Sequence, residues 1–246
     1  MTASMLDLVF NASAWASLLT LTVMEIVLGI DNLVFISVLT SRLPTDAARK
    51  ARALGLSMAL VFRVLLLITL SWLIGLTAPV FTLFDHGFSW RDLILLAGGL
   101  FLLYKATHEI HAGIEGEEDE SGNVVHAAFG ATVAQIIAID IVFSIDSIIT
   151  AIGMAEHVPV MILAVVIAMI IMFVASEPIS KFIHKHPTTK MLALSFLLLI
   201  GVSLVADGVG FHVPRAYIYF AMAFSAGVEA VNILASRNRR KAKASA

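Results

Sequence analysis

Glu25-Ile26-Val27-Leu28-Gly29-Ile30-Asp31-Asn32 and Asp140-Ile141-Val142-Phe143-Ser144-Ile145-Asp146-Ser147 lie over one another when the chain is slid 115 residues along itself. Ile26/Ile141, Val27/Val142, Ile30/Ile145 and Asp31/Asp146 are identical, an acid faces an acid at 25/140, and Pro44 matches Pro159 where the segments end. Apolar helices resemble one another by chance, but two carboxylates kept six residues apart in both copies are a much rarer coincidence. An internal repeat of this kind fixes the architecture before any motif does.

Around these stretches the composition leaves few options. Of 246 residues, 59% are apolar and 14% charged, and the mean hydropathy is strongly positive. One soluble core cannot use that much apolar surface. A bilayer core about 30 Å thick needs roughly 20 mostly apolar residues per spanning helix. Stretches of that kind fall at about 14–40, 53–77, 91–108, 128–153, 159–177, 190–207 and 215–235. The expected fold class is therefore an all-α polytopic membrane protein of about seven helices.

Lys and Arg accumulate in loops left on the cytoplasmic side. Arg42, Arg49, Lys50 and Arg52 follow the first span, Lys105 follows the third, Lys181, Lys185 and Lys190 lie between the fifth and sixth, and Arg237, Arg239, Arg240, Lys241 and Lys243 form the tail. Only Arg91 and Arg215 occupy the alternate loops. The bias predicts an outside N-terminus and a cytoplasmic C-terminus. Six or eight spans would put one basic cluster on the wrong side. No Lys or Arg precedes Arg42, so the first apolar stretch is expected to remain as a helix rather than be removed as a signal peptide. The chain has no cysteine, which rules out disulfides and thiolate metal sites within it.

Three spans separate the start of one copy from the start of the next, so the second copy enters the membrane upside down. The expected organisation is a first three-helix repeat over 1–111, an acidic cytoplasmic loop over 112–127, a second, inverted repeat over 128–208, a seventh helix over 209–236 and a basic tail over 237–246. Inverted repeats in secondary transporters place a binding site near the midplane between the halves. At about 1.5 Å per residue, Glu25 and Asp140 both fall at mid-depth, with Asp31 displaced inward and Asp146 outward.

An ionised carboxylate at mid-bilayer costs at least about 2.5–3 kcal/mol. Glu25, Asp31, Asp140 and Asp146 therefore need protons, a fixed cation, water or a bound metal, and the only Lys or Arg near the membrane centre is Arg63. Residues six apart point about 120° away from each other on an unbroken helix. Either each helix is kinked or unwound at Gly29 and at Ser144, or the acids serve successive sites on ordinary helices. The implied ligands are Glu25, Asp31, Asn32, Asp140, Asp146 and Ser147, with the hydroxyl of Ser144, carbonyls and water: a hard oxygen set that suits Mn²⁺, Mg²⁺ or Ca²⁺. Proton exchange fits the same site, since a carboxylate in a dry environment holds its proton more tightly and can trade it for a metal.

Other residues carry two readings each. Arg63 is expected to pair with Glu25, Asp31 or Glu177, either to hold an empty carrier together or as a plain structural ion pair. Glu177, before Pro178, reads as a solvated helix end or a gating charge, and Glu229 with Asn232 as a functional face of the last helix or an ordinary polar one. Asp207 and His212 read as a capped turn or an exit-side ion contact, His108 and His111 as interfacial histidines or metal ligands. The run Glu115, Glu117, Glu118, Asp119, Glu120 reads as a solvated loop. Ala223 and Gly227 are spaced for close helix packing.

The stretch Met24–Phe35 resembles the opening signature of the TerC (tellurium-resistance protein C) family of bacterial membrane proteins. The likeness continues through Gly99–Lys105 with Glu109 and His111, Asp140–Asp146, Asp207–Pro214, and Tyr217–Ser225 with Glu229 and Asn232, and so covers nearly the whole chain. It implies a bacterial inner-membrane protein that exports Mn²⁺ from the cytoplasm, with an older link to tellurite resistance. It implies no resident cofactor, no enzymatic activity and no nucleic-acid partner; the partners expected are the lipid bilayer, a divalent cation and protons as counter-ion. An intramembrane aspartyl protease is disfavoured, because Asp31 follows Gly29-Ile30 and Asp146 follows Ser144-Ile145 rather than Gly-x-Gly. A non-transporting scaffold or stress-resistance factor is the remaining alternative, and Asn in place of Asp31 or Asp146 would leave a scaffold working.

Overall fold

The computed structural model describes residues 12–83, 86–115, 125–152 and 158–244. Among the described residues eight α-helices follow in order: α1 (Ala12–Leu39), α2 (Thr45–Ile68), the short α3 (Leu70–Gly75), α4 (Trp90–Glu115), α5 (Val125–Ile152), α6 (Val158–Lys185), α7 (Pro187–Gly208) and α8 (Arg215–Ala244). Seven are long and apolar enough to cross a membrane, α3 being the exception. The chain is an all-α polytopic membrane protein, as its hydropathy predicts.

Local sequence accounts for the ends. Pro44, extended at φ −53° and ψ 147°, precedes α2, and Asp46 sits in its first turn, where a carboxylate meets the positive end of the helix dipole. Pro187 opens α7, a position that needs no amide proton. Gly210 adopts φ 86° just beyond α7, a conformation open to glycine at little cost. Thr69 breaks α2 from α3 and turns its hydroxyl back to the Leu65 carbonyl at 2.8 Å. Several helices outrun their apolar stretches: α2 begins eight residues before 53 and α6 continues to Lys185, because polar residues outside the hydrocarbon layer still propagate a helix already nucleated within it.

One element escaped the sequence reading. Between α3 and α4, β1 (Pro79–Leu83) pairs antiparallel with β2 (His86–Ser89), and Phe81 stacks on Phe88 with ring centroids 5.3 Å apart. The strands are too short to stand out from the apolar background. This hairpin marks one end of the bundle; the opposite end, carrying Arg49, Lys181 and Lys190, is called the basic end below.

Helix pairing respects the repeat. The principal pairs are α4 with α7, α1 with α6, α5 with α2, and α2 with α6. Matching α1, α2 and α4 to α5, α6 and α7 in turn converts α1–α6 into α5–α2 and leaves α4–α7 and α2–α6 as they are. The lesser pairs α1–α7 and α5–α4 exchange in the same way. α8 has no partner in the scheme and packs chiefly on α7, with Phe220, Phe224 and Val231 exposed, as suits a helix facing lipid. The core is a continuous cluster that includes Phe35, Leu67, Leu102, Ile136, Ile148, Met172, Leu194 and Leu204. At the α4–α7 seam the backbones nearly touch, since a Cβ on Gly99 would lie 2.8 Å from the Gly201 carbonyl oxygen. Small residues permit such approaches between membrane helices.

Candidate functional site

α1 and α5 run as continuous helices through Gly29 and Ser144, which favours ordinary helices over the alternative of unwinding at these positions. Each residue has another use. A Cβ at 29 would fall 2.1 Å from the Met172 sulfur, so the missing side chain lets α6 lie against α1. The Ser144 hydroxyl donates to Asp140 Oδ2 at 3.2 Å. With α5 regular, the six-residue spacing turns Asp146 away from Asp140.

Asp140 and Glu25 converge on Arg63. The guanidinium meets Asp140 side-on, Nε donating to Oδ2 at 3.1 Å and Nη2 to Oδ1 at 2.8 Å, while Nη1 donates to Glu25 Oε2 at 2.6 Å. Asn32 Nδ2 adds a bond to Asp140 Oδ1 at 3.1 Å. All four residues are buried, Arg63 at 3% exposure and the others at 4–5%. This two-pronged geometry, in which charged donors meet a carboxylate in its own plane, is the strong form of the interaction. α1 contributes Glu25 and Asn32, α2 contributes Arg63 and α5 contributes Asp140 and Ser144, so the cluster joins the two copies.

The centre is not fully satisfied. With both acids ionised it carries one net negative charge, and the Oδ1 of Asn32 and the Oγ1 of Thr22, one turn before Glu25, are buried without hydrogen-bond partners. Glu25 also borders a small cavity whose other walls are Leu21, Leu67, Ile148, Met161, Ala164 and Val165. Buried polar atoms without partners are rare, and here two of them flank the ion pair. The oxygen chemistry matches a hard divalent cation, although among the described residues no three His, Asp or Glu side chains are gathered as a metal-binding group. The positive charge between the acids is the chain's own arginine.

Asp146 does not share this site. It lies toward the hairpin end, where Arg91 Nη2 donates to Oδ1 at 2.5 Å and Arg215 Nη2 donates to Oδ2. Asp207 joins there, its Oδ1 accepting from His212 Nδ1 at 3.1 Å and its Oδ2 lying 3.9 Å from Arg215. The sequence reading counted only Arg63 as a possible internal counter-charge and treated Arg91 and Arg215 as topology markers. Their place at the first turns of α4 and α8, level with the far end of α5, was the available signal. The side chain of Asp31 lies outside the described residues, as do the side chains of the basic tail and the acidic segment 116–124.

The remaining candidates separate cleanly. Ser147 donates to the Ser144 carbonyl at 3.3 Å within its own helix. Glu177 binds Lys181 at 2.7 Å and Arg49 at 3.5 Å at the basic end, and not Arg63, which is the solvated-helix-end reading. Glu229 accepts from Thr188 at 2.5 Å and Thr189 at 3.2 Å, which fastens α8 to the start of α7, away from the centre. His108 stacks on Tyr104, and His111 pairs with Glu115 at 3.2 Å; they do not form a metal site. A residue missed altogether is Arg52, buried at the basic end and bonded to Thr40 Oγ1 at 3.3 Å and Ser180 Oγ at 3.1 Å. It ties α2 to the end of α1 and to α6 through neutral hydroxyls.

The chain is similar to known membrane proteins. Residues 10–244 match the family described as "Integral membrane protein TerC family". The chain is 53% identical over 234 residues to the "UPF0053 inner membrane protein YoaE" of Escherichia coli (strain K12), covering 95% of this chain and 45% of that protein. It is 51% identical over 232 residues to a "UPF0053 protein" of Haemophilus influenzae, covering 93% of this chain and 97% of that one. A third relative, the "UPF0053 inner membrane protein YgdQ" of Escherichia coli (strain K12), is 50% identical over 230 residues, covering 94% and 96%. The chain thus spans about half the length of some relatives and nearly all of others. No solved structure matches it.

Proposed function

Because this chain belongs to the TerC family of integral membrane proteins, we propose that it is a divalent-cation carrier of the bacterial inner membrane, exporting Mn²⁺ from the cytoplasm in exchange for protons. The single observation that carries the reading is the buried Glu25–Arg63–Asp140 cluster, in which an acid from each repeat faces one shared cation. The inner membrane follows the names of the relatives, and the choice of Mn²⁺ follows the family resemblance. The charge bias supports a basic end that faces the cytoplasm.

Charge counting gives the mechanism. In a low-dielectric centre the favoured occupancies are the neutral ones. Two carboxylates with Arg63 and one proton are neutral, and so are two carboxylates with one divalent ion once Arg63 has withdrawn. Proton and metal are then alternative guests of the same pair of acids. Arg63 holds the repeats together when no ion is present and releases them when the metal arrives. Asn32 Oδ1 and Thr22 Oγ1 supply the additional oxygen ligands. Rocking of one repeat against the other then exposes the centre to either side.

Uptake of Mn²⁺ into inverted membrane vesicles tests this directly. Wild type should accumulate the ion faster under a proton gradient, while Glu25→Gln and Asp140→Asn should fall at least tenfold. Equal uptake by all three would end the transport reading and leave the scaffold. Gradient-independent uptake by wild type alone would remove only the proton exchange.

A further inference from the structure

Arg52 is the eighth residue of α2, at the edge of that helix's apolar stretch. A long basic side chain so placed ordinarily reaches out to the polar boundary of the membrane. Arg52 turns inward instead and is only 7% exposed. Its Nη1 donates to Thr40 Oγ1 at 3.3 Å and to Ser180 Oγ at 3.1 Å, and among the described residues it forms no ion pair. Glu177, whose charge acts on it, is bonded to Lys181 and Arg49. A buried charge without an opposite one is costly, so this seat is shallower than that of Arg63, which has two carboxylates.

The seat lies across a seam that leads to the centre. Arg52 and Arg63 are eleven residues apart on α2, about three turns, and share its buried face. On α6, Met172, Ser176 and Ser180 recur every four residues along one face. Met172 lies against Gly29 of α1, and Ser180 meets Thr40, just past the end of α1, through Arg52. Ser176 therefore falls between these two contacts on the same α1–α6 seam. It is buried, and its hydroxyl donates back to the Phe173 carbonyl at 2.8 Å; Thr40 likewise donates to the Ile36 carbonyl at 2.8 Å. Hydroxyls whose protons are committed in this way offer only lone pairs, which suit a cation.

We propose that Arg52 is a latch: turned inward it closes the seam of α1, α2 and α6 at the basic end, and when it swings out to the membrane boundary the seam parts and the Glu25–Arg63–Asp140 centre is reached from that side. α6 has a place to flex, since Pro178, between Ser176 and Ser180, interrupts its hydrogen-bond ladder. This inference rests on the cation-carrier reading and adds to it the residue that controls entry.

The chain contains no cysteine, so a single introduced one reports on the seam. Ser176→Cys in the full-length chain, purified into lipid nanodiscs, is treated with a membrane-impermeant cationic methanethiosulfonate reagent, with Leu102→Cys on the buried face of α4 as the reference. With Arg52 in place, the Ser176→Cys protein should react slowly but measurably and the Leu102→Cys protein not at all. Adding Arg52→Gln should speed the first at least tenfold and leave the second unreactive. No reaction of Ser176→Cys with Arg52 in place marks a fixed tie and overturns the latch. So does a rate that Arg52→Gln leaves unchanged, or a rise that Leu102→Cys shares. If Arg52→Gln does not yield monodisperse protein, Ser180→Ala decides: a threefold or greater rise supports the latch, and an unchanged rate overturns it. These rates are read without transport, so equal Mn²⁺ uptake by wild type, Glu25→Gln and Asp140→Asn would sink the carrier reading while the labelling result stands.

Discussion

The two arginine-centred clusters differ in one respect that governs what each can do. Arg63 is buried on all sides among α1, α2 and α5, whereas Arg91 and Arg215 keep about a quarter of their side chains in contact with the surroundings. Both clusters set acids around guanidinium groups. At the centre, however, removing the cation strands two charges in a medium that cannot solvate them, while at the hairpin end water can take over part of the task. Burial, and not the number of ion pairs, sets how much the loss of each guanidinium costs.

The sharpest way to break the comparison is Arg63→Met, which preserves length and removes the charge. Stranding Glu25 and Asp140 should destabilise the protein by about 3–5 kcal/mol, read as loss of folded protein in a detergent unfolding titration. An unchanged midpoint would show that the acids are already neutral without Arg63. Next in size is the contrast between Asp140→Asn and Asp146→Asn. The first should lower Mn²⁺ uptake at least tenfold while leaving Arg63 bonded to Glu25. The second should cost about 1–3 kcal/mol, the range for a charged hydrogen bond lost at a partly wet site, with the larger part recovered in Asp146→Glu. Reversal of that order would make the hairpin end the principal site.

A smaller effect is expected for Arg91→Gln. Arg215 remains on Asp146, so the unfolding midpoint should fall by only about 1 kcal/mol, and the loss should shrink as salt is raised. Salt-independent destabilisation would place Arg91 in a drier environment than its exposure indicates. The least consequential change is Glu177→Gln at the basic end. Its partners Arg49 and Lys181 are mostly exposed, and both uptake and unfolding should match wild type within error.

The basic end supplies a further contrast. Arg52 is buried there with Thr40 and Ser180 as its hydrogen-bond partners, whereas the hairpin end is closed by carboxylate–guanidinium pairs. Neutral hydroxyls bind a guanidinium less strongly than carboxylates do.

Spans and their number were legible in the sequence because they rest on a quantity additive along the chain, apolar length against bilayer thickness. The repeat was legible as identity at a fixed offset, and the helix pairs exchange under it. What could not be read was the direction in which each acid points across helices distant in sequence. Arg63 was a known candidate with Glu25, Asp31 and Glu177 as expected partners, and only packing kept Glu25, added Asp140 and sent Glu177 to Lys181. Arg91, Arg215 and Asp207 looked like loop residues because loops are recognised by their local polarity, whereas their proximity to Asp146 depends on how α4, α7 and α8 close around the end of α5. Hydrophobic periodicity sets where a helix lies in the membrane, and ion pairing depends on rotation and neighbours, which tertiary packing alone determines.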